Sequence, residues 1–302
     1  MAETKDFVLK INGVSKSYGK ASVLDNMSFT VPRGSIYGLV GRNGAGKTTI
    51  MRIISGLQKP TDGTIEYGYD NKKLGNVGAL VELPSIYSNA SARENLIYQY
   101  TNLGLKVDDS VDKLLELVGL GDTGKKKAGK FSLGMRQRLG IAMAMAGSPE
   151  VLILDEPING LDPQGIIQIR DMLTSINKEK GVTIIISSHI LSELSKLATH
   201  FAFIEGGKVV KEITAEELEN ASGLHTEFYA GNPEKLIPIL EANGLTAAYD
   251  QATGVVHAKG YYNLTKVVLA ANDAGVNIAR VITKENELET YFVNLVGGES
   301  ND

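Results

Sequence analysis

The chain has 302 residues, 43% of them hydrophobic, a formal charge of −4 and no cysteine. That length suits one large α/β domain plus a small one, with enough apolar residues to bury a core. The charge supplies no general basic field for nucleic acid, and the missing thiols exclude disulfides and thiolate metal sites and suit a reducing compartment. The four histidines lie too scattered for a zinc cluster.

Residues 1–6 lack the apolar core of a signal peptide. Val151–Leu154 and Val182–Ile186 have only strand length, so nothing approaches the ~20 apolar residues of a membrane span. Membrane contact is therefore expected to go through another subunit. Runs over Phe7–Ile11 and Ala21–Val31 predict strands. Between them Tyr18 offers a ring that could stack on an adenine base, although a strand-end tyrosine also serves plain packing.

A strand over Ser35–Val40 leads into Gly41-Arg42-Asn43-Gly44-Ala45-Gly46-Lys47-Thr48-Thr49 and a helix continuing to Ser55. This is Gly, four residues, Gly-Lys-Thr. The glycines let backbone N–H groups approach phosphate oxygens, and the helix aims its free N–H groups and positive dipole end at them. In such a loop Lys47 reaches the outer phosphates and the Thr48 hydroxyl faces Mg²⁺. A nucleoside triphosphate is the expected ligand.

Residues 57–63 read as a turn and Thr64–Tyr69 as a strand; Ser91–Leu103 and Ser110–Val118 read as helices. Lys125 to Lys127 and Lys130 carry no interleaved aromatics, and so read as a solvated loop rather than a nucleic-acid surface. Ser132–Ala146 has a capping serine and predicts a helix. The apolar run Val151–Leu154 then ends at Asp155 and Glu156, as a parallel strand ends at a ligand site. Asp155 suits Mg²⁺, held through water, and Glu156 the orientation or deprotonation of an attacking water. Thr183–Ser188 repeats the pattern and ends at His189, a possible donor to a γ-phosphate.

Near 219–223 the composition turns small and polar, a domain boundary. Beyond it the sequence predicts strand 225–230, helix 233–243, strands 245–250 and 254–259, helix 262–274 and strand 276–283. The order is that of a ferredoxin-like split unit, closed by an amphipathic helix over 287–295. It carries no phosphate loop, metal cluster or nucleophile, so an interaction or dimer-supporting role is expected, with a ligand sensor as the alternative.

Residues 5–220 resemble the ATP-binding subunit of ABC transporters. Phe131-Ser132-Leu133-Gly134-Met135-Arg136-Gln137-Arg138-Leu139 looks like the family signature, Asn159-Gly160-Leu161-Asp162 like the loop that crosses to the partner, and His189 like the switch histidine. The resemblance implies an α/β P-loop NTPase domain of the ABC type over 1–220, with an inserted helical subdomain at about 84–150. The small α+β ferredoxin-like domain then occupies 221–302. It further implies a head-to-tail homodimer in which ATP and Mg²⁺ lie between the phosphate loop of one copy and Ser132 and Gly134 of the other. A separate permease would hold the subunit at the cytoplasmic face of the membrane.

The chain departs from the family pattern in two places, at three positions. Leu133 and Met135 stand where the signature has glycine and glutamine, while Ser132 and Gly134 remain. Glu82 stands where a glutamine faces the metal, and is expected to keep that metal role with an altered dependence. Glu82 and the signature resemble most the bacterial exporters of bacitracin-like and lantibiotic peptides, in which Leu83, Ile86 and Tyr87 would lie near the permease. The competing reading is a soluble ABC ATPase acting on ribosomes or DNA, which the single ATP-binding domain, the lack of a coiled-coil insert and the negative charge oppose.

Overall fold

The computed structural model describes residues 5–70, 73–222, 225–260, 263–284 and 295. Its chain divides into two units, Met1–Thr214 and Ala215–Asp302. The division falls ahead of the polar stretch at 219–223, because a helix carries most of that stretch into the second unit.

The first unit starts with an antiparallel pair, β1 (Phe7–Tyr18) and β2 (Ala21–Pro32). β1 runs past Ile11, where the sequence pattern ends, because Gly13 takes a φ of 61° and an irregularity in register there lets the strand continue. β3 (Ile36–Val40) is buried at every position, and helix α1 (Lys47–Ile54) follows it after a six-residue loop, 41–46. β4 (Asp62–Tyr67) pairs with β1 and completes a three-stranded sheet of order β2-β1-β4.

β5 (Val77–Leu80) precedes three helices, α2 (Ala92–Asn102), α3 (Ser110–Leu117) and α4 (Leu133–Ala144). Ser-x-x-Glu starts α2 as a capping box: Ser91 Oγ accepts from Glu94 N, and the Glu94 carboxylate accepts from Ser91 N at 2.6 Å. That backbone donor, with the Ser91 hydroxyl and Lys127 behind it, holds the Glu94 carboxyl below its usual range. Lys127 is thus paired with the first turn of α2, at 3.3 Å from Glu94 Oε2.

The remaining elements of this unit are β6 (Val151–Leu154), α5 (Pro163–Lys180), β7 (Thr183–Ser188), α6 (Leu191–Leu194), β8 (His200–Glu205) and β9 (Lys208–Thr214). The sheet order is β5-β6-β7-β3-β8-β9, parallel except for β9 against β8. β3, β6 and β7 are buried throughout, as strands covered on both faces are. Because they run in one direction, their carboxyl ends share one edge, which gathers the 41–46 loop, Asp155-Glu156 and His189. The buried Tyr37 hydroxyl donates to Glu212 Oε2 of β9 at 2.7 Å. Burial, and then the Glu212 charge, pushes that phenol far above its ordinary range, so it stays a donor.

The second unit contains α7 (Ala215–Ser222), β10 (His225–Ala230), α8 (Pro233–Ala242), β11 (Thr246–Asp250), β12 (Val255–Lys259), α9 (Leu264–Asp273) and β13 (Ile278–Lys284). The bounds lie within a residue or two of those expected. Sheet order β11-β12-β10-β13, antiparallel at every pairing, is that of the ferredoxin-like split unit. Its core joins Phe228, Leu236, Leu240, Val256, Ala258 and Val267. The helix expected over 287–295 lies outside the described residues except for Leu295.

Candidate active site

The phosphate loop is shaped by what its glycines exclude. A Cβ on Gly41 would stand 2.5 Å from the Ile204 carbonyl oxygen, and one on Gly46, at φ 109°, 2.6 Å from Leu24 Cδ2. Gly44 has a φ of 86° and open space where its Cβ would be. Arg42, Asn43 and Gly44 are exposed at the mouth, whereas Ala45, Gly46, Lys47 and Thr49 are buried. The Lys47 ammonium, 6% exposed, donates to Gly41 O at 2.7 Å and Arg42 O at 3.2 Å. Its charge thus lies inside the loop, held by carbonyls that phosphate oxygens would replace as partners.

The acids at the end of β6 meet this loop. Asp155, buried, accepts from Thr48 Oγ1 at 2.7 Å and from Ser187 Oγ at 2.6 Å. Glu156 takes a φ of 48°, a left-handed conformation costing ~1 kcal/mol in a non-glycine residue. Its N–H donates to Ser187 Oγ at 2.8 Å, which fixes this turn. His189 Nδ1 lies 2.8 Å from Glu156 Oε2, and because a carboxylate only accepts, that nitrogen carries the hydrogen. Glu156 Oε1 is buried without a hydrogen bond, its neighbour being Lys47 Nζ at 3.3 Å. This oxygen is thus ion-paired with the Lys47 ammonium while its hydrogen-bonding capacity is unused.

Ser187 is the site residue that the sequence reading does not single out. Its signal is a polar pair, Ser187-Ser188, ending an apolar strand, but its contacts follow only from β7 lying beside β6.

Ser132 and Gly134 form a second group, at the start of α4. Ser132 is exposed, and its Oγ accepts from Met135 N at 3.2 Å. Leu133 covers Gly160, whose Cβ would lie 3.3 Å from Leu133 Cδ2, and Gly134 faces Leu161. Asp162 is the N-cap of α5, accepting from Gly165 N at 3.0 Å. The signature-like segment and the 159–162 loop are therefore neighbours, with polar bonds local to their own helices.

Two candidate residues stand apart from the first group. Tyr18, 46% exposed, donates its hydroxyl to Gln58 Oε1 at 2.5 Å and has Lys16 Nζ over its ring at 5.2 Å. Glu82, at φ 68°, pairs with Arg52 of α1, while Asp155 takes the Thr48 hydroxyl. Among the described residues no three His, Cys, Asp or Glu side chains form a metal cage. The Thr48 hydroxyl and the Asp155 carboxylate are oxygen donors of the kind that would suit a magnesium ion.

A phosphate loop after one buried parallel strand, with acids ending the next strand but one in the sheet, defines a nucleoside-triphosphate-binding α/β protein. A family model described as ABC transporter matches residues 24–159. The bacitracin transport ATP-binding protein BcrA of Bacillus licheniformis is 40% identical over 96% of this chain and 98% of its own length. The lantibiotic transport ATP-binding protein SrtF of Streptococcus pyogenes is 44% identical over 72% of this chain and 95% of its own. Among solved structures, cbiO1 of Clostridium perfringens, part of the ABC transporter complex cbiONQ, superposes with a TM-score of 0.63. That match has 27% identity and covers 71% of this chain and 91% of that one. The chain belongs to the ABC transporter family as an ATP-binding subunit, an ATPase.

Proposed function

We propose that the chain is the ATPase of an exporter, probing no substrate itself and powering a separate membrane permease on whose cytoplasmic face it sits. The compound moved is of the bacitracin or lantibiotic type, a class taken from the similarity to BcrA and SrtF. The observation that carries the reading is the meeting of Lys47, Thr48, Asp155, Glu156 and His189 at one sheet edge. Among the described residues no helix is long and apolar enough to cross a membrane, which agrees with a permease on another chain.

In the proposed mechanism the backbone N–H groups of 41–49 and the Lys47 ammonium bind the triphosphate of ATP. Thr48, and Asp155 through water, would hold Mg²⁺, which would neutralise phosphate charge. Glu156 Oε1 accepts from the attacking water and orients it. His189, held through Nδ1 on Glu156, has Nε2 left to face the γ-phosphate, to which it donates when both ring nitrogens carry hydrogen. Ser132 and Gly134 of a second copy, arranged head to tail, supply hydroxyl and backbone donors from a helix N-terminus. Tyr18 stacks on the adenine, and Asp162 stabilises the loop at the dimer seam.

Glu82, paired with Arg52 in this structure, would keep a role at the metal. Glu82→Gln removes one negative charge near the ion, so half-saturating Mg²⁺ for ATP hydrolysis should rise by roughly two- to fivefold. Superimposable Mg²⁺ titrations of the two proteins would remove the role. Leu83 and Tyr87, 78% and 56% exposed, and the half-buried Ile86 are the proposed permease contacts. The export reading is tested by isolating the tagged chain from detergent-solubilised membranes of its own cells. An integral membrane permease should accompany it, and ribosomes or DNA in its place would favour the soluble alternative.

A further inference from the structure

The phosphate loop rests on the turn between β8 and β9, and the contacts converge on one residue that touches no expected ligand. Gly207 donates its N–H to Ala45 O of the loop at 3.1 Å, and its own carbonyl accepts from Asp25 N of β2 at 3.0 Å. It has a φ of 79°, and a Cβ there would run into the Val23 carbonyl of β2. The same carbonyl would lie 3.2 Å from a Cβ on Gly46, and Gly207 Cα 3.7 Å from it. At the other end of the loop, Gly41 leans on Ile204 O, the residue where β8 enters this turn. The turn thus supports the cradle at both its first and its last glycine.

We propose that Gly207 is a positioning residue for nucleotide binding, a clip that holds the phosphate loop in its anion-accepting shape through the Ala45 carbonyl. The proposal rests on the nucleotide reading of the site. It follows physically from pre-organisation: a loop that populates its competent shape only part of the time binds with an affinity reduced by that fraction. The chemistry should be spared, because Asp155 and Glu156 follow β6 and are held from the end of β7 by Ser187 and His189. The nearby Lys208–Asp25 pair, 3.0 Å apart and exposed, contributes little to the clip.

The adjacent glycine provides the control. Gly206 also has a positive φ, 53°, but a Cβ there meets nothing within 4 Å. Alanine at either position strains the turn, and only at 207 does it displace the clip.

The test uses the full-length chain, with a fluorescent ATP analogue for affinity and ATP hydrolysis for turnover. Gly207→Ala should weaken binding and raise KM about tenfold with kcat at saturating ATP within about twofold, while Gly206→Ala stays within about twofold of wild type in both. Unchanged binding in Gly207→Ala, an equal loss in Gly206→Ala, or a fall in kcat with KM unchanged overturns the clip. Wild type that binds no nucleotide overturns the reading of the site itself. Hydrogen exchange on the wild type keeps the test open should Gly207→Ala not fold. ATP should slow exchange at the Gly207 amide together with 41–48, and an unaffected Gly207 amide contradicts the proposal.

Discussion

Glu156→Gln is expected to lower ATP hydrolysis by about a thousandfold while leaving ATP binding intact. The amide keeps the shape of the side chain, and its oxygen can still accept from His189 Nδ1, now 2.8 Å from Oε2. What disappears is the carboxylate oxygen that lies buried and unbonded near Lys47, and with it the basicity needed to orient and deprotonate water. Binding donors on the phosphate loop are untouched. ATP should therefore accumulate in the site, and the proposed head-to-tail dimer should persist. Light scattering with ATP should show a dimer for Glu156→Gln and only a transient one for wild type. A monomer with ATP in the variant would count against the two-copy site, and undiminished turnover against Glu156 as the base.

Asp155→Asn should cost about a hundredfold in turnover and weaken the response to Mg²⁺, with metal-free nucleotide binding largely preserved. Asp155 accepts two hydroxyl hydrogens at once, from Thr48 and Ser187, and is buried. Asparagine has one accepting oxygen and one donating nitrogen, so one hydroxyl must turn round or lose its bond. If Thr48 turns, the hydroxyl oriented for the metal is lost; if Ser187 turns, the support under Glu156 N weakens. The charge that attracts Mg²⁺ is absent in either case. Turnover measured against Mg²⁺ concentration checks this, and a titration matching wild type would remove Asp155 from the metal site.

The site was legible in the sequence where consecutive residues specify it. Gly41 to Thr49 and Asp155-Glu156 are contiguous, and their chemistry follows from strand, turn and helix start alone. Ser132 was legible in the same way, as a polar cap ahead of helix α4, whereas Asp162 came only from the family resemblance and its capping of α5 is seen only in the structure. The second unit was readable because Asn232-Pro233, Gly244, Gly254 and Gly275 punctuate it, each marking where an element starts or stops.

Contacts between distant segments were not legible. Ser187 gains its place only from the parallel pairing of β6 and β7, and Arg52 meets Glu82 across 30 residues of chain. The four-residue β5 carries too few positions to show a period, and α5, β8 and β9 were unassigned although they frame the loop. Gly207 reads as an ordinary hairpin glycine until Val23 and Ala45 are seen against it.

Phosphate release by the full-length chain, alone and with its permease, tests the central claim most directly. With ATP and Mg²⁺ the wild type should release inorganic phosphate, and folded Lys47→Ala, which lacks the ammonium now held by Gly41 and Arg42, should not. Equal release by the two proteins, or none from wild type with its permease present, would contradict the account.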